Sequence, residues 1–161
     1  MALVPPDARA AKAFRILKGS EKLIRRPHAV AAAAAELKVG EWIGIDSNGK
    51  AAKVTATVVT APDQTAVCCW SHYKQNDTYN ADPDAVATAQ VTSIDGKYVA
   101  ETTFFKTGET YNPGDLLVVI LVSGQGVLAP VAASAADTET LAGAVAKVVK
   151  YASSRLTYRT L

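Results

Sequence analysis

Acid–base or nucleophilic chemistry near neutral pH draws first on histidine placed beside a serine, a cysteine or a carboxylate. This sequence has two histidines and two cysteines. His72 stands in Trp70-Ser71-His72-Tyr73, where extended chain would point Ser71 and His72 to opposite faces and deny them a shared dyad. His28 lies in a basic N-terminal stretch. Cys68 and Cys69 are neighbours, so a disulfide between them would close a strained ring, and one buried and one outward thiol on a strand is the simpler expectation. No catalytic residue is therefore expected.

Metal and phosphate chemistry find as little. Asp77, Asp82 and Asp84 cluster in a polar loop, but the spacing and terminal glutamate of a calcium-binding helix–loop–helix are absent. The glycines are spread through turns, and no glycine-rich phosphate loop, paired CxxC or HExxH occurs. The expectation is an uncatalytic protein without metal or cofactor.

The elements that would carry such residues read as strands. Leu116 to Val122 is an unbroken apolar run, too short for a membrane span and rich in β-branched residues, as in a strand buried on both faces. Pro113-Gly114 precedes it, Gly124-Gln125-Gly126 reverses the chain, and Val127 to Val131 returns. The same order appears at Val39 to Val54, where Gly40-Glu41, Trp42 to Ile45 and the turn Ser47-Asn48-Gly49 lead into Ala51 to Thr60. Further strands are expected at Thr65 to Tyr73 and at Arg155 to Leu161, the last closing the sheet. Ala85 to Ile94 and Lys97 to Phe105, joined at Asp95-Gly96, read as a second hairpin. Ala29 to Leu37 fits either a short helix or an extended strand, and Glu139 to Tyr151 leans to strand because of Gly143 and its valines. Turn signals at roughly eight-to-twelve-residue spacing predict an all-β domain, a small barrel or sandwich over residues 37–161.

The 161 residues make one domain, 49% hydrophobic but only 7% aromatic, so the core must be built from small and β-branched side chains. Pro5-Pro6-Asp7 breaks any signal-like apolar stretch, which predicts folding in a cytoplasm. The net charge of +2 hides a segregation. Residues 1–30 hold seven Lys/Arg against two acids, residues 31–139 six against thirteen, and residues 140–161 four against none. Both ends of this sequence are basic and the middle is acidic, an asymmetry that predicts a negatively charged partner for the ends. Residues 1–36, broken by Pro5, Pro6 and Pro27, read as an extended arm with at most one or two short helices. Phe14 is the arm's one aromatic, and a basic-aromatic stripe is not visible, so nucleic acid is not the expected partner.

The segments Leu37 to Lys50, Ser93 to Phe105 and Tyr111 to Val119, with the return Gly126 to Pro130 and Leu141 to Val145, resemble small structural proteins of tailed bacteriophages, the capsid decoration or cement proteins. That resemblance covers roughly residues 37–150 and is one of turns and strands rather than of a catalytic signature. The loop 74–84 departs from it. It implies a β-barrel or β-tulip body with an N-terminal arm, made in the host cytoplasm and attached to the outside of the head, where it stabilises the shell. The implied partners are the major capsid protein and further copies of the chain in a trimer, with neither nucleic acid nor membrane. The arm residues expected to bind the capsid are Arg9, Lys12, Phe14, Arg15, Ile16, Leu17, Lys18, Arg25 and Arg26. Another virion component, of the tail or a head fibre, or a carbohydrate-binding β-module would share the same strand pattern.

Overall fold

The computed structural model describes residues 14–19, 21, 23–31, 37–38, 40–54, 65–71, 84–85, 90–131, 143–152 and 154–161. Its strands are β1 (Phe14–Lys18), β2 (Ile24–Ala29), β3 (Leu37–Lys38), β4 (Trp42–Ile45), β5 (Ala51–Lys53), β6 (Thr65–Ser71) and β7 (Asp84–Ala85). They continue with β8 (Gln90–Asp95), β9 (Val99–Thr102), β10 (Leu116–Val122), β11 (Gln125–Pro130), β12 (Ala146–Ala152) and β13 (Arg155–Thr160). One sheet has the order β1-β9-β13-β12-β10-β11, a second β2-β8-β6-β4-β5, and β3 and β7 form a two-stranded third. All pairings within these sheets are antiparallel, and the described residues include no α-helix.

The β10–β11 hairpin is the one the sequence announces, in register from Val122↔Gln125 to Leu117↔Pro130. Its turn is Ser123-Gly124, both at positive φ (49° and 76°), the geometry whose twist matches that of paired strands. Leu117, Val119 and Leu128 enter the main core, while Val118, Val127 and Ala129 of alternate positions are also buried, so both faces of the hairpin are covered.

Asp95-Gly96 behaves differently from the expected hairpin turn. β8 belongs to the five-stranded sheet and β9 to the six-stranded one, and the two do not pair. Gly96, at φ 112°, turns the chain around a corner, its N–H held by the Asp95 carboxylate at 2.7 Å. The partner of this bent ribbon is the N-terminal segment: β1 pairs with β9 and β2 with β8. Gly19 is its counterpart at the corner, at φ 86°, where a Cβ would lie 2.7 Å from the Lys97 carbonyl oxygen. Residues 14–18 and 24–29, read from the sequence as part of an arm, are thus strands of the two sheets, and β13, expected to close a sheet, lies inside one.

The expected all-β class is what is found; of the barrel and the sandwich, the chain's passage between two sheets at Gly19 and Gly96 favours packed sheets, and among the described residues no ladder closes into a barrel. The nearest approach to closure is in the five-stranded sheet, whose outer strands meet at a single parallel bridge, Val30↔Ala51, with Ala31 N–H donating to Ala51 O at 2.8 Å. Within that curl sits a small core of Val30, Leu37, Ile43, Ala51 and Val91. The opposite face of the same sheet, through Trp42 and Ile94, joins the main core of the six-stranded sheet around the fully buried Tyr158, whose ring centroid lies 6.1 Å from those of both Trp42 and Tyr98. The expectation of a core made of small and β-branched side chains holds only in part: few as they are, the aromatics gather inside, and Phe14, Trp42, Tyr98, Phe105, Tyr111 and Tyr158 are six of the sixteen residues of the main core.

Candidate functional site

The residues expected to bind a partner divide by the strand that carries them. Arg9 and Lys12 lie outside the described residues. Phe14 is buried in the main core opposite Thr102, and Ile16 packs against that core, so these two anchor β1 rather than offering themselves to a partner. Arg15, Leu17 and Lys18 are exposed. Arg25 and Arg26 are in β2, opposite Ile94 and Ser93, with Arg26 exposed. A register shift between Ile16 and Lys18 inserts Leu17 as a bulge, which turns this apolar side chain outward, 42% exposed. Ile24 at the start of β2 is 52% exposed.

β1 is an outermost strand of its sheet, and among the described residues its outer edge has no ladder partner. The other outermost strand, β11, is partly covered: Leu128 N–H donates to Phe104 O at 3.0 Å and Lys106 N–H to Leu128 O at 2.8 Å. The ion pairs at the open side are shallow. Arg26 meets Asp95 at 3.5 Å with both side chains largely in water, where such a pair contributes little, and Arg15, half exposed, meets the more sheltered Glu101 at a long 3.4 Å.

His28 is placed differently from the sequence expectation. Its Nδ1 lies 2.8 Å from the Gly49 carbonyl and its Nε2 2.9 Å from Ser93 Oγ. A carbonyl can only accept, so Nδ1–H donates to Gly49 O. Ser93, 65 positions away, is a partner that the residues neighbouring His28 in sequence do not announce. Ser93 is buried in the inner strand β8, and the chain of bonds ties β8 through β2 to the β4–β5 turn. It locks the curl of the five-stranded sheet.

A second polar link joins the two sheets. Glu41, fully buried, accepts from Lys53 Nζ at 2.7 and 2.9 Å, from Lys38 N–H at 3.0 Å and from Gly126 N–H at 3.4 Å. Gly126 has to be glycine, since a Cβ there would stand 2.0 Å from the Trp42 carbonyl oxygen. β11 therefore crosses β4 backbone to backbone, with Glu41 filling the junction.

The remaining candidates resolve to structure or fall outside the description. Cys69 sits at a register shift in the β6–β8 ladder, Asp84 opens β7, and His72, Asp77 and Asp82 lie outside the described residues. Among the described residues no group of His, Cys, Asp and Glu could hold a metal, and no helix is long and apolar enough to cross a membrane. Trp42 is buried, and Tyr151, exposed near the end of β12, meets Phe105 edge-to-face and Tyr111 at a tilt. Burial, reinforced by Glu109 and Tyr151, pushes the Tyr111 phenol well above its usual pKa, and its hydroxyl donates to Lys106 O at 2.7 Å.

Compared with protein-family models, with curated proteins and with solved structures, the chain matches none.

Proposed function

We propose that this chain is a structural protein of a tailed-bacteriophage virion that binds the outer surface of the head and stabilises the shell. The observation that carries the proposal is the exposed β1–β2 ribbon, where Arg15, Lys18 and Arg26 lie in the same strands as the outward Leu17 and Ile24. Arginine mixed with exposed aliphatic side chains suits a protein interface better than a merely solvated strand. The bulge at Leu17 and Pro27 within β2 interrupt the edge, so contact is through side chains rather than an added strand.

The physical logic follows from what a head shell needs. The Glu41 junction ties one sheet to the other and the His28–Ser93 link fixes the curl of the five-stranded sheet, and a body so braced suits a clamp that resists the separation of the subunits it bridges. Self-association as a trimer multiplies a modest contact by avidity. The major capsid protein is the proposed partner, the outer capsid surface the proposed location, and no catalysis or cofactor is required. Co-sedimentation of the full chain with undecorated head shells tests this reading. Saturable binding that weakens when Arg15, Lys18 and Arg26 are all changed to glutamine is expected, and absence of binding by the unaltered chain would refute it.

A further inference from the structure

Part of the basic N-terminal stretch and the basic C-terminal stretch share one surface. β1 lies beside β9, β9 beside β13, and β13 beside β12, so residues 14–18, 146–152 and 155–160 are in one sheet. The register arranges the outward residues in rows. Lys147 is opposite Arg159, Arg159 opposite Val99, and Val99 opposite Lys18. In the next row Lys150 is opposite Thr157, Thr157 opposite Glu101, and Glu101 opposite Arg15, with Arg155 two residues before Thr157 on the same face. The inward positions, Phe14, Ala100, Thr102, Leu156, Tyr158, Ala146 and Val148, are buried, which fixes the other rows as outward.

Six cations stand in these rows against one acid, Glu101. That carboxylate is already engaged, accepting from Arg155 Nη1 at 3.1 Å and from Arg15 Nη2 at 3.4 Å. Lys147, Lys150 and Arg159 form no ion pair among the described residues. Lys147 and Arg159 are like charges directly across a ladder, an arrangement that destabilises a sheet. Folding alone does not call for such a face.

We infer that the outward face of the β1-β9-β13-β12 part of the six-stranded sheet is a docking surface for a carboxylate-rich protein surface. Strands about 4.8 Å apart, with same-face residues about 6.8 Å apart along each, set out a broad grid of cations rather than a groove. Arg15 and Arg155 already hold one carboxylate between them, which demonstrates the geometry on this face. The rows contain no aromatic side chain on which a nucleobase could stack, so phosphodiester chains are the poorer fit. That the acidic surface belongs to a capsid rests on the proposed function, whereas the recognition of carboxylates does not.

The test uses the full chain and fluorescent poly-L-glutamate, with a short duplex DNA of matched charge as competitor. Changing Lys147 and Arg159 together to glutamine should weaken poly-L-glutamate binding roughly tenfold while leaving the melting temperature unchanged or raised. Changing Lys50 and Lys106, which lie elsewhere, should leave binding as it was. Equal binding by the double variant, no binding by the unaltered chain, or tighter binding of DNA at the same salt would each overturn the inference. No head shell enters the experiment, so its failure and a failure of shell binding are separate results.

Discussion

Glu41 with Lys53, and Lys147 with Arg159, place charge in opposite ways. The first pair is complementary and set at the junction of the two sheets, where Glu41 accepts from one ammonium and two backbone N–H groups. The second pair has one sign, faces water, and sits directly across a ladder. Desolvating an ion is tolerable only where partners replace water, and Glu41 satisfies that condition with three elements at once. Like charges facing each other in solvent weaken the fold slightly and remain available to something else. The difference separates charge used to join the body from charge left for a partner.

That contrast can be broken at its strong end first. Lys53→Ala leaves a buried carboxylate without its counter-ion and should destabilise by about 3–5 kcal/mol in urea unfolding. Changing Glu41 and Lys53 together to leucine should recover much of the loss, because the stranded charge rather than the lost pair dominates it. Gly126→Ala tests the junction without touching charge. Its Cβ would collide with the Trp42 carbonyl, forcing β11 away from β4 and costing about 1–3 kcal/mol. Gly124→Ala, in the hairpin turn at φ 76° but in open space, should cost only about 1–2 kcal/mol, with strain and no clash. At the weak end, Lys147→Gln should change stability by no more than about 0.5 kcal/mol, in the stabilising direction. A large loss there would mean that the outward cations hold the fold together, and the contrast would fail.

Much of the fold was legible in the sequence because β10–β11 and β4–β5 are local. Each hairpin carries its turn residues and its apolar strand within a few positions, and both pair as expected. Asp95-Gly96 has the same local appearance and a different outcome. What decides it are β1 and β2, which supply ladder partners to β9 and β8 from 61 to 88 positions away. Nothing near Asp95 announces that competition. The N-terminal stretch misled for a related reason: its prolines and charges are those of an unpaired arm, yet Phe14 is buried in the core and Pro27 sits at the outer strand of its sheet, where a missing N–H is tolerated. The segregation of charge was visible from composition, but the meeting of part of the basic N-terminal stretch with the basic C-terminal one on one face depends on strand order. His28 and Ser93 likewise became a pair only through the β2–β8 ladder.

On the proposed function, the exposed β1–β2 ribbon is what this protein presents to the outer surface of a phage head. Electron cryomicroscopy of undecorated shells incubated with the full chain tests it most directly. The expected map has ordered density on the outside of the shell, with Arg15, Lys18 and Arg26 against capsid protein and the β10–β11 hairpin turned away. Shells that stay bare, or density that docks through β11 and leaves β1 in solvent, would contradict it.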